Sequence, residues 1–200
     1  MPIIQAFPKE ISQSGSQNWD MIQDNLGIMY FANNDGMLVY DGTTWTIYPL
    51  PNFTIVRSLA IDENGIIYAT AYHGKLAAIA YDGKTQWETE LSSYFGPALG
   101  LGNLYITRDD DHVQAYDQLN GASVWSQPAL QGRFLNQPVK HDNYVVVADF
   151  EGYVHVLAQV DGELLGRLSV RPRPLHMTLP NQPEMKNWRP LRGKDFGIRS

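Results

Sequence analysis

A unit of about 38 residues recurs four times in this 200-residue chain. Each unit opens with a short apolar strand after a turn: Gly27-Ile28-Met29-Tyr30, Gly65-Ile66-Ile67-Tyr68, Gly102-Asn103-Leu104-Tyr105 and Asp142-Asn143-Tyr144-Val145. A second landmark follows eight or nine residues later, at Asp35-Gly36, His73-Gly74, Asp110-Asp111 and Glu151-Gly152. A third is Tyr40-Asp41-Gly42, Tyr81-Asp82-Gly83, Tyr116-Asp117 with Asn120-Gly121, and Val160-Asp161-Gly162. Trp45, Trp87 and Trp125 close three units, and Leu165 is read at the same place in the fourth. Repeats of this length mean stacked or radial modules, each burying its apolar face against its neighbours.

The modules read as strands. Short runs rich in β-branched and aromatic residues are punctuated by Asp-Gly and Asn-Gly turns, the signature of antiparallel hairpins. No window of 15 residues sustains a helical apolar period. Three to four strands per unit is the content of one propeller blade, so the expected fold is all-β and β-propeller-like, with four repeats of about 38 residues and an irregular C-terminal tail. Blades are expected at roughly 17–51, 52–92, 93–131 and 132–170, after a lead-in with a strand at Ile3 to Phe7. Residues 1–170 then form a four-blade domain, and 171–200 a proline-rich basic tail without regular structure. Four such blades are expected to close, or nearly close, into a ring.

Charge divides the same way. Residues 1–170 carry 8 Lys and Arg against 19 Asp and Glu, whereas 171–200 carry 7 against 2. An acidic body argues against a nucleic-acid groove. The chain has no cysteine, which excludes disulfides, thiolate metal sites and a cysteine nucleophile. No stretch approaches 18 apolar residues, and the N-terminus lacks the basic and apolar segments of a signal sequence.

Two resemblances are carried by particular residues. Gln17-Asn18-Trp19-Asp20, Gln23-Asp24, Gly27 to Gly36, Tyr40-Asp41-Gly42, Trp45 and Ile55 to Ala60 resemble the opening of a two-component regulator propeller, a periplasmic sensor domain. From residue 73 to 170 the chain is similar to quinoprotein-type blades. Ala115-Tyr116-Asp117, Asn120-Gly121 and Trp125 follow the A-x-D-x-x-T/N-G-x-x-x-W pattern. His73 to Ala78, Gln137-Pro138-Val139 and Gly152-Tyr153-Val154-His155 are similar to the late blades of the BamB family of outer-membrane assembly lipoproteins. A junction between Tyr72 and His73 implies recombined or deliberately assembled blades, that is, a chimera.

These resemblances imply a noncatalytic binding or scaffold module of the bacterial envelope, periplasmic or associated with the outer membrane, with no cofactor and no enzyme activity. A protein partner in envelope assembly or sensor signalling fits it, and open strand edges allow self-association. The alternatives are a recombined or designed propeller without evolved activity, and a quinone-dependent dehydrogenase fragment. The dehydrogenase would need a larger closed propeller with cofactor ligands on its axis. Candidate partner-binding residues are those of the second-landmark turns: Asn34, Asp35, His73, Asp109, Asp110, Asp111 and Glu151. Three consecutive carboxylates at 109–111 lack the spacing of a calcium loop. The five histidines show no zinc spacing.

Overall fold

The structure is a computed structural model that describes residues 12, 14–50, 55–71 and 74–170. Apart from a helical position at Ser12, the regular elements among them are strands, and sixteen strands form four antiparallel sheets in strict chain order. Blade 1 holds β1 (Asn18–Gln23), β2 (Met29–Asn33), β3 (Gly36–Tyr40) and β4 (Trp45–Tyr48). Blade 2 holds β5 (Val56–Ile61), β6 (Ile67–Ala71), β7 (Gly74–Ile79) and β8 (Thr85–Leu91). Blade 3 holds β9 (Ala98–Gly100), β10 (Asn103–Thr107), β11 (Val113–Asp117) and β12 (Ser123–Gln127). Blade 4 holds β13 (Val139–His141), β14 (Tyr144–Ala148), β15 (Tyr153–Ala158) and β16 (Leu164–Ser169). The all-β propeller-like reading and its four repeats stand. The strand expected at Ile3 to Phe7 and the tail from Arg171 lie outside the described residues.

Turn chemistry fixes the hairpins. Asp24 Oδ1 accepts the N–H groups of Leu26 and Ile28, both at 2.9 Å, and Oδ2 accepts the Tyr30 hydroxyl at 3.0 Å. Asp62 repeats the device on Asn64, Ile66 and Tyr68. Gly27 and Gly65 at φ +86° and +79° supply the left-handed step these turns require. Burial, followed by the Asp24 bond and charge, pushes the Tyr30 hydroxyl up to about 12.

Strand alternation sends successive residues to opposite neighbours. Ile67 and Ala69 join Tyr30, Ala32 and Met37 in a core between blades 1 and 2. Tyr68, Leu76 and Ala78 pack with Leu104, Ile106 and Tyr116 between blades 2 and 3. Tyr105, Val113 and Ala115 pack with Val145, Val147 and Leu157 between blades 3 and 4. Among the described residues no buried cluster joins blade 4 to blade 1. The described residues form an open succession of blades, and the expected closure is not seen among them.

Each blade locks the next with an aromatic ring over a turn glycine. The rings of Trp87 and Trp125 lie against Gly121 and Gly162 so closely that a Cβ there would overlap them. Their Nε1–H groups donate to the carbonyls of Gln118 and Gln159, both at 2.9 Å. In blade 1 the ring over Gly83 is Tyr48, whereas Trp45 lies on the other face, stacked on Tyr40 at 4.6 Å. The cause is register. The β7–β8, β11–β12 and β15–β16 pairs carry a bulge, which re-aims the side chains, and β3–β4 pairs without one. By that register the fourth counterpart of Trp87 and Trp125 is Gly166, opposite Val156, and not Leu165.

Candidate functional site: the rim of the second-to-third-strand turns

Antiparallel order puts the β2–β3, β6–β7, β10–β11 and β14–β15 turns at one end of the blades. The connectors from one blade to the next emerge there too. The candidate residues therefore share one rim, except His73, which lies outside the described residues. Most of their side chains are engaged within the protein. Asn34 Oδ1 accepts the Trp19 indole N–H at 2.8 Å, and Asp35 Oδ2 accepts the Gly15 N–H at 2.6 Å. Asp110 meets Arg108 Nε at 3.2 Å and the His112 N–H at 3.3 Å. Asp109 uses its backbone N–H on the Ser92 carbonyl at 3.0 Å.

Asp111 is a clamp between blades. Its two carboxylate oxygens accept the N–H groups of Phe134 and Leu135, at 3.0 and 2.9 Å. Phe134 has φ +53°, a left-handed conformation that a bulky residue rarely adopts, and the Asp111 bonds hold it there. Thr107 Oγ1 adds a bond to the Asn136 carbonyl at 2.8 Å. The connector 128–138 is thus pinned to blade 3 before it enters blade 4.

The other anchor is Asp149, whose side chain is fully enclosed. Its Oδ2 accepts Arg133 Nε at 2.6 Å and lies 2.8 Å from His155 Nε2, and its Oδ1 accepts the Tyr153 N–H at 2.9 Å. Burial raises the pKa of this carboxyl, but the bonds from His155, Tyr153 and Arg133 outweigh it and bring the group down to about 2. Arg133 reaches on to Glu151 at 2.7 Å. The sequence reading named Glu151 but missed Arg133, Asp149 and His155.

These anchors hold up two aromatic rings that the sequence reading also missed. Phe134 is 74% and Phe150 84% exposed, and their rings meet edge to face with centroids 6.4 Å apart. Phe150 donates its backbone N–H to the Arg133 carbonyl at 3.2 Å. Two large exposed apolar side chains on anchored backbone, with Asp111 bonded to the Phe134 N–H and Glu151 next to Phe150 in the chain, form an apolar patch with an acidic edge. The signal available in sequence was their position: Phe134 lies in the long connector and Phe150 beside the Glu151-Gly152 turn, outside every repeat landmark.

A hollow of about 430 Å³ lies at the opposite rim between the Asp24–Gly27 and Asp62–Gly65 turns. The Asp24 and Asp62 carboxylates that border it are occupied by their own turns. Among the described residues no three His, Asp or Glu side chains group to hold a metal ion, and no helix is long and apolar enough to cross a membrane.

Residues 52–127 match the family model described as outer membrane protein assembly factor BamB. Outer membrane protein assembly factor BamB of Pseudomonas aeruginosa is 41% identical over 115 residues, covering 54% of this chain and 30% of that protein. The protein of the same name from Alkalilimnicola ehrlichii is 40% identical over 104 residues, covering 52% and 27%. The chain thus spans less than a third of these relatives. BamB from Moraxella catarrhalis superposes with a TM-score of 0.68 at 22% identity, over 78% of this chain and 50% of that one. Virginiamycin B lyase from Staphylococcus aureus superposes at 0.66 with 15% identity, over 77% and 56%. At such identities the structures establish the fold alone, and this fold carries both assembly factors and enzymes. The family match runs unbroken across Tyr72 and His73, where the sequence reading set a change of ancestry. The quinoprotein-type and BamB-like resemblance stands. The two-component sensor resemblance and the chimera find no support in these matches.

Proposed function

We propose that this chain is a noncatalytic propeller module of the bacterial envelope that offers the second-to-third-strand rim to a protein partner in outer-membrane protein assembly. The observation that carries the binding role is the Phe134–Phe150 pair, exposed and yet fixed by the Asp111 and Asp149 anchors. Exposed aromatics held rigidly contribute contact area at low entropic cost, and such residues dominate interface energies. The relatives named above supply the process, and the periplasm or the periplasmic side of the outer membrane is the matching location. Asp109, Asp110 and Glu151 form the acidic edge of the contact, with Asn34 and Asp35 extending the same rim over blade 1; His73, outside the described residues, belongs to the same proposal by its place in the repeat. Asp111 serves by shaping the connector. Residues 1–170 act as the module, and the basic segment 171–200 is an appendage to it. The role proposed is one of surface presentation, loops held by rigid blades.

A photo-crosslinker placed at Phe150 tests this. The chain is exported to the periplasm of a Pseudomonas aeruginosa strain lacking its own assembly factor. The expected result is a crosslink to an outer-membrane assembly protein that disappears with Phe134→Ser, while a probe at Thr43, on the opposite rim, gives none. Equal crosslinking from both rims, or none from Phe150, refutes the proposal.

A further inference from the structure

Strand register shows where blade 1 departs from its neighbours. In blade 2 a row of paired residues runs from Tyr68 through Ala78 to Trp87, and in blade 3 from Tyr105 through Ala115 to Trp125. The same row in blade 1 runs from Tyr30 through Val39 to Thr46. Thr46 therefore holds the place that an indole holds in the next two blades. Tyr48 covers Gly83 from two residues further along β4. A hollow of about 230 Å³, bordered by Tyr30, Val39, Thr46, Tyr48 and Tyr81, remains between blades 1 and 2.

The hollow keeps the parts that hold an indole elsewhere. Tyr30 is the counterpart of Tyr68 and Tyr105, whose rings lie 6.1 and 5.7 Å from those of Trp87 and Trp125. Tyr81 stands where Gln118 and Gln159 stand, because the Ala80 N–H donates to the Lys84 carbonyl as Asp117 does to Ala122 and Ala158 to Glu163. The Gln118 and Gln159 carbonyls accept the two indole N–H groups. Among the described residues no donor reaches the Tyr81 carbonyl. Asp24 and Asp41, also on the border, hold their own turns with their carboxylates. The walls are thus apolar and aromatic with one backbone acceptor left over, the usual make-up of a small-molecule site.

We propose that this hollow binds a small planar aromatic molecule with one N–H or O–H donor, of the indole or phenol type. The ring lies against Tyr30 and Tyr48, and the donor meets the Tyr81 carbonyl. The space suffices, since an apolar cavity of about 150 Å³ takes a benzene ring. The site is at the other end of the blades from the Phe134–Phe150 rim, and it is independent of the partner proposed there.

The test is saturation-transfer NMR on the full chain, titrated with free indole. The expected Kd is about 0.1–1 mM, a range open to a ligand of that size. 1-Methylindole, which lacks the donor, is expected to bind about 2- to 10-fold more weakly. Thr46→Trp fills the hollow from within and is expected to abolish indole binding with an unchanged far-UV spectrum. Tyr81 is 81% exposed, so Tyr81→Ala leaves the fold intact while it removes one wall, and it is expected to weaken binding even if Thr46→Trp does not fold. No indole binding to the wild type overturns the inference, as does equal affinity for 1-methylindole. Binding unchanged by Tyr81→Ala, or by Thr46→Trp in a folded chain, also overturns it, by placing the ring on another surface such as the exposed phenylalanines.

Discussion

The ring-over-glycine lock is best probed from the glycine side. Gly162 and Gly102 have nearly the same backbone, at φ +74° and +71°. They differ in what a Cβ would meet: open space at Gly102 and the Trp125 indole at Gly162. Alanine at either position bears the left-handed penalty, about 1–2 kcal/mol. At Gly162 the new methyl must also push the indole away, and overpacking of that kind costs about 1–3 kcal/mol more. The indole has little room to yield, because its face lies 5.7 Å from the Tyr105 ring and its N–H is tied to the Gln159 carbonyl. Equilibrium urea unfolding should therefore place Gly102→Ala about 1–2 kcal/mol below wild type and Gly162→Ala about 2–5 kcal/mol below, at unchanged slope. Trp125→Ala should cost about 3–5 kcal/mol by itself. In that background Gly162→Ala should fall back to the cost seen at Gly102, a coupling of about 1–3 kcal/mol. Equal costs at the two glycines, or additive costs in the double variant, would show that the indole does not bear on Gly162 and would refute the lock.

The depressed carboxyl of Asp149 makes stability depend on acid. A group held at about 2 in the folded chain, against 3.8 ordinarily, adds stability that is complete above about pH 4 and is lost as pH falls toward 2. Asp149→Asn should flatten the thermal midpoint over that window, and parallel curves for variant and wild type would speak against the anchor. Asp111→Ala leaves two connector N–H groups without an acceptor and should cost about 1–3 kcal/mol, whereas Asp109→Ala should change unfolding by less than about 0.5 kcal/mol. Equal effects would remove the distinction between clamp and surface.

The fold was legible because its signals are local. Gly-Ile-x-Tyr after an Asp turn, and Asp-Gly between alternating strands, each fix one hairpin, and four such units in order leave few alternatives to blades. What a bulge does to a side chain's direction is not local. Trp45 reads as the equal of Trp87 and Trp125, yet the regular β3–β4 register turns it to the far face and brings Tyr48 to the lock. The same shift moves the fourth position from Leu165 to Gly166. Closure depends on angles between blades, which no short motif encodes. The rim was located by its acidic turns, but its most exposed apolar side chains were passed over. A phenylalanine in sequence reads as core by default, and only burial distinguishes Phe134 and Phe150 from Phe31.

The locks also have a direction in time. Each ring precedes its acceptor carbonyl in the chain, by 31 residues for Trp87 and by 34 for Trp125. A chain emerging N-terminus first completes a blade before the turn that covers its ring has appeared. Until then the indole stands wet at the growing end, a handle for whatever attends the nascent protein. The following blade dries it on arrival, so blades are sealed one by one in the order of synthesis.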